Sequence, residues 1–306
     1  MRKKFLFFLL LPLFIYLLFF PGKALSASIR GVDLWFHTVL PALLPFIILS
    51  GILVKSGIIL PALRKADGIF RYFPGLSGAG TYALVLGIFC GFPMGAKITA
   101  SLLSEKSISY REAEFLLCVS NHVSPVFLRS YVASILPDPR LARAVTGIYY
   151  ASAAVLYCLC RSTWKQTPAA ANVRKKEASS SVGELLDTSI MEGFDAMLRL
   201  GGYIILFTVY AELVKTFSAD VPLLSPILSM ILEISSGTEG LLHTPLALPV
   251  QVSILLAGLS FGGISTAAQT AGMIRGTGLS VSRYLKAKLL QAVIACAFTL
   301  LFFAVV

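Results

Sequence analysis

The stretch 91-GFPMGAKITA-100 decides how this chain is read. It lies inside an apolar run, and two glycines, a proline and a lysine interrupt that run in quick succession. Proline removes a backbone donor and clashes with the preceding turn, while glycine frees the chain from helical dihedrals. At membrane depth, such irregular backbone survives only where protein or a watery cavity covers it.

The surrounding composition is that of a membrane protein. Of 306 residues, 57% are hydrophobic and 13% charged, with a mean hydropathy of +0.82. A soluble domain carries roughly a quarter charged residues. Apolar segments run over 5–20, 34–54, 80–106, 114–136, 144–160, 199–217, 222–243, 247–275 and 284–306. Lipid-exposed backbone must satisfy its own hydrogen bonds, so these segments read as helices. The fold class is therefore all-α: a polytopic membrane protein with two repeated halves, inverted relative to each other, containing broken and re-entrant helices. Residues 1–27 read as an N-terminal helix or signal anchor, and an uncleaved helix is preferred to a cleaved signal peptide. Residues 28–160 and 184–306 form the halves, joined by a basic polar linker at 161–183. Within the second half, 184–198 alternates polar and apolar faces, as an interfacial helix does.

The formal charge of +11 sits in short loops beside apolar segments. That pattern follows the positive-inside rule and contact with anionic lipid rather than nucleic acid. Basic loops at 55–71, 161–176 and 275–288 are expected in the cytoplasm, and acidic loops at 105–114 and 212–239 outside. These signs agree if 114–136 dips into the membrane without crossing. The five cysteines form no CxxC pair and read as small buried hydrophobes.

The halves show internal similarity. A shift of 171 residues lays 84-LVLGIFCGFPMGAKITA-100 on 255-LLAGLSFGGISTAAQTA-271, pairing Gly87 with Gly258 and Gly91 with Gly262. A looser match joins 46-FIILSGILVK-55 to 203-YIILFTVYAELVK-215. Four interruptions concentrate polar groups: 91-GFPMGAK-97, 121-NHVSP-125, 233-EISSGTEG-240 and 262-GGISTAAQ-269. Paired breaks in the two halves of a transporter mark its binding site.

The candidate solute-binding residues are Gly91, Pro93, Met94, Gly95, Lys97, Asn121, Ser124, Ser235, Ser236, Thr238, Ser265, Thr266 and Gln269. A helix restarting after Pro93 exposes the N–H groups of Met94 to Ala96 and a positive dipole end, and Lys97 adds a full charge. Such a site suits a small anionic or strongly hydrogen-bonding solute. Alternatively Lys97 snorkels to the headgroups. His122 and Glu233 are candidates for coupling or gating, with Glu233 also a candidate ion-pair partner of Lys97. No catalytic residue, metal site or cofactor is expected: there is no HExxH, no P-loop and no metal-spaced His/Cys cluster. The partners expected are the solute and membrane lipids, and a homo-oligomer is left open.

The motifs 35-WFHTVLPALLPFIILSGIL-53, 91-GFPMGAKITASLL-103, 120-SNHVSPVF-127, 202-GYIILFTVY-210 and 232-LEISSGTEG-240 resemble the sporulation integral membrane proteins of the YlbJ type. That family belongs to the nucleoside-recognition or Gate-domain group and resembles the core of concentrative nucleoside transporters. The resemblance implies two Gate-like repeats, over 28–160 and 184–306. It also implies a multi-pass protein of the bacterial cell membrane or outer forespore membrane, moving dipicolinic acid for the spore cortex. A nucleoside permease and a non-transporting scaffold for spore-envelope assembly are the alternatives. This chain departs from the family in a shorter central linker and in His122, where a small polar residue is expected.

Overall fold

A computed structural model describes residues 2–56, 76–163, 181–218, 221 and 223–305. Much of the linker, together with Arg64, Lys65, Arg71 and Asp220, lies outside the described residues. What is described is helical, with no strand among those residues. Among the described residues, five helices are long and apolar enough to cross a membrane.

A first helix, α1 (Arg2–Phe19), meets α2 (Pro21–Lys55) at Phe20, where the backbone leaves helical dihedrals. The long helix α2 lies antiparallel to α8 (Val182–Phe217) along its length. Gly31 approaches Ile205, Leu44 and Ile48 approach Gly193, and Gly51 approaches Ser189. Trp35 lies against Gly201 and donates its indole N–H to the Met197 carbonyl at 2.9 Å. Ion pairs flank the seam, Arg30 with Glu212 and Lys55 with Glu192. The stretch 184–198 thus belongs to one continuous helix and its small residues pack on α2, which corrects the interfacial reading.

The 91–97 interruption is the tip of a helical hairpin. Helix α3 (Gly78–Cys90) ends at Gly91, whose φ of +83° suits a residue without Cβ. Helix α4 (Met94–Ser104) then folds back. A Cβ built on Gly87 would meet Gly95 Cα at 2.9 Å, although eight residues of straight helix span about 12 Å. The chain proceeds through α5 (Tyr110–Val119), an irregular turn at 120–124, α6 (125–135) and α7 (Pro139–Thr163). After α8 comes a second hairpin, α9 (Leu224–Leu232) and α10 (Ile234–Leu242). A Cβ on Gly237 would collide with the Met230 backbone, so these helices also fold together. The last elements are α11 (Leu248–Phe261), α12 (Gly263–Met273) and α13 (Val281–Val305).

Three expectations change. The segment 80–106 does not run on as one broken span, because its halves lie side by side. The segment 114–136 is not a hairpin: among the described residues, α5 and α6 make no extensive contact with each other. The 171-residue shift matches the tip of a hairpin to the break between α11 and α12, which do not fold back on each other. Element order gives a different correspondence. Long helix, hairpin, interrupted helix and a 25-residue helix occur in that order twice, as α2 to α7 and α8 to α13. The long helices are 35 and 36 residues.

Two buried carboxylates hold helix starts. Glu112 accepts from the Ser77 N–H and hydroxyl, both at 2.7 Å, at the start of α3. Glu114 accepts from the Ser280 N–H at 2.6 Å and from Arg283 at 2.8 Å, at the start of α13. Acidic groups complement the partial positive charge of helix N-termini. Both are buried, so neither counts as a solvated acid of an outer loop.

Candidate functional site

The four interruptions meet at one place. Gly91 at the first hairpin tip rests on Ser124, with 2.9 Å between its built Cβ and the Ser124 N. Phe92 reaches the α11–α12 break, its ring tip 3.2 Å from a Cβ built on Gly262. Gly263 in turn faces the last carbonyls of α9, and a Cβ built on it would lie 3.2 Å from that of Leu232. Tyr131 of α6 donates to the Ser235 carbonyl of the second hairpin at 2.7 Å.

Protein groups satisfy much of the exposed backbone there. The Val123 N–H donates to the Tyr149 hydroxyl at 2.8 Å, and the Val123 carbonyl accepts from Tyr150 at 2.9 Å. Fully buried Asn121 ties the halves together. Its Nδ2 donates to Thr270 Oγ1 at 2.8 Å, and its Oδ1 accepts from the Ala96 N–H at 3.4 Å. The Met94 N–H returns to the Gly91 carbonyl. Two donors expected to await a solute are therefore already engaged.

The remaining candidates divide. Ser124 caps α6 through the Phe127 N–H, Thr238 donates to the Ile234 carbonyl, and Glu233 accepts from the Ser235 N–H. Ser265 accepts from Gln269 at 3.0 Å, and both are buried. Thr266 packs beside Gly262, and Pro93 and Gly95 are buried within the first hairpin. The Ser236 side chain lies outside the described residues. Only Glu233 interrupts 233–240, since 234–242 is helical.

Lys97 stands apart, lining a cavity that Asn121 does not share. That cavity, of about 300 Å³, lies between α2, α4, the start of α8 and the 274–280 loop. Ser50, Lys55, Ser101, Glu192 and Arg275 share the lining. Lys55 is paired with Glu192, whereas Lys97 and Arg275 make no hydrogen bond or ion pair among the described residues. Met94 carries the lining toward the hairpin tip.

The sequence reading missed Lys288. It placed 275–288 in a basic loop, but α13 begins at Val281 and Lys288 is fully buried within it. Lys288 Nζ lies 3.1 Å from Gln291 Oε1 and 3.3 Å from His122 Nδ1. The Phe92 ring centroid is 5.5 Å away and that of Tyr284 6.0 Å. A signal was present: Tyr284, Lys288, Gln291 and Thr299 fall at helical spacing on one stripe, and the structure buries that stripe. Among the described residues, no cluster of three His, Cys, Asp or Glu side chains is arranged to hold a metal ion.

Helical architecture, apolar spans and polar groups gathered at helix breaks define an integral, multi-pass membrane protein. The chain is similar to the sporulation integral membrane protein YlbJ of Bacillus subtilis (strain 168), with 27% identity over 317 residues, covering 92% of this chain and 78% of that protein. The likeness supports the YlbJ-type family. No family model matches the chain, and no solved structure does.

Proposed function

We propose that this chain is a secondary transporter built as an inverted repeat, carrying a small organic anion rather than catalysing a reaction. Its solute is dipicolinate and its setting sporulation, in the cell membrane or outer forespore membrane. The observation that carries the reading is the convergence of four helix interruptions from both halves at one place, with buried Lys288 beside two of them at Phe92 and His122. Interrupted helices meeting between repeats are the construction of many transport sites. Lys97 and Arg275, lining a cavity that leads toward the first hairpin tip, supply the attraction for an anion. The similarity to a sporulation membrane protein supports the sporulation setting.

Each half of such a protein crosses the membrane three times, because a hairpin enters and leaves on one side. An odd number of crossings inverts the second half. It also leaves the basic linker on the side of Lys55, as the positive-inside rule requires.

Flux into liposomes tests the proposal, with labelled dipicolinate, a labelled nucleoside and empty liposomes compared. Dipicolinate uptake is expected to fall at least about tenfold in Lys97→Ala, the effect of losing about 1.4 kcal/mol of anion attraction. Asn121→Ala is expected to lower flux of either solute. Nucleoside flux indifferent to Lys97 favours the permease alternative, and no flux of either leaves a scaffold.

A further inference from the structure

Lys288 is a buried amine with no carboxylate in ion-pair distance among the described residues. Burying an unpaired charge is costly, so ionisable groups inside membranes are kept for function. Its neighbour fixes the chemistry. His122 Nε2 lies 2.7 Å from the Val119 carbonyl, which only accepts. The hydrogen therefore resides on Nε2, and Nδ1 turns its lone pair toward Lys288, 3.3 Å away. Two nitrogen bases face each other across one hydrogen bond. Protonating both would set two cations side by side in a dry site, so the pair holds one proton or none.

We propose that Lys288 and His122 form a single proton-binding site that links solute movement to proton movement, an inference that rests on the transport reading above. Loading adds a proton from hydronium to the Nζ lone pair and leaves water. Unloading returns that proton to water and leaves the lone pair on Nζ. Loaded, the centre carries one positive charge and attracts an anion; the anion in turn holds the proton, since linkage is reciprocal. Phe92, whose ring lies over Lys288, belongs to the first hairpin tip, so displacing that tip uncovers the proton site.

Other groups facing Lys288 do not compete. Helix α5 brings Cys118, α7 brings Cys160, and α13 itself brings Tyr284. Tyr149 of α7 faces His122. Thiols and phenols ordinarily titrate at about 8.5 and about 10. Glu114 is engaged by Arg283, and α11 and α12 carry no titratable side chain.

The test uses the full chain in liposomes with the membrane potential clamped at zero and an imposed pH gradient. One proton per solute predicts about tenfold accumulation of labelled dipicolinate for each pH unit, acid outside. Lys288→Met and His122→Gln are expected to lose that accumulation. Lys288→Arg, whose charge is permanent, is expected to show only uptake that ignores the gradient. Wild-type flux indifferent to the gradient overturns the proton link and leaves transport standing; absence of any flux overturns both.

A second readout does not depend on transport. Ring-nitrogen NMR of His122, with His37 and His243 replaced by Gln, should move at Nδ1 in Lys288→Met while Nε2 keeps its hydrogen. An unmoved Nδ1 signal, in a variant that stays monodisperse and melts as the wild type does, overturns the pairing.

Discussion

At Gly87 and Gly95 there is no room for a methyl group, because a Cβ on either would strike the Ser120 carbonyl. Gly87→Ala is expected to cost about 1–3 kcal/mol, the usual penalty of overpacking. Gly147 has nothing within 4 Å of its built Cβ, so Gly147→Ala in α7 should be neutral or stabilise by up to about 1 kcal/mol. Denaturant unfolding in one detergent checks the pair, and equal effects would refute the close approach. Residue chemistry also explains what was legible. Gly91, Pro93, Asn121 and Gly262 announce themselves by breaking helices, and all lie in the four interruptions that meet. Lys288 does not announce itself, because a lysine near a basic loop looks like a headgroup anchor until the helix start is known. Lys97 was legible as a charge beside the break, but only packing sets it in the lining of the cavity.

For the elements, the helix starts depend on distant carboxylates. Glu114 joins α5 to α13 through the Ser280 N–H and Arg283. Glu114→Ala leaves a buried donor unpaired and is expected to lower stability by about 2 kcal/mol, with Glu114→Gln intermediate. Thermal unfolding of the two variants measures the order, and a Gln variant weaker than Ala would contradict the cap. Ser77, Ser109 and Ser280 each stand at a helix start, the position such hydroxyl residues favour. Local sequence does not distinguish a hairpin from an interrupted span, since Gly and Pro permit both. The direction after the break is set by what Gly87 and Gly237 can approach, which is tertiary information. That is why 80–106 reads from sequence as one broken span, where the structure has a hairpin.

On the scale of the whole molecule, a crossing at 114–136 in place of one at 80–106, as the proposed three-crossing unit has it, leaves the number of crossings unchanged, so charge counting gives the linker the same side by either route. The sides of the short loops do differ. With native cysteines replaced, single cysteines at Lys106 and Arg275 should react from the cytoplasmic face, and those at Asp138 and His243 from the opposite face. Labelling of Lys106→Cys and Asp138→Cys from one face would refute the three-crossing unit. The long antiparallel helices carry a mechanical consequence. Trp35 is lodged over Gly201 and bonded to the Met197 carbonyl, while ion pairs near both ends hold the same alignment. A slip of one helical turn, about 5.4 Å, would drive the indole out of its notch and part both charges. The pair is thus a strut with a keyed joint, and on the proposed transport reading a passage opens by swinging the hairpins against that strut.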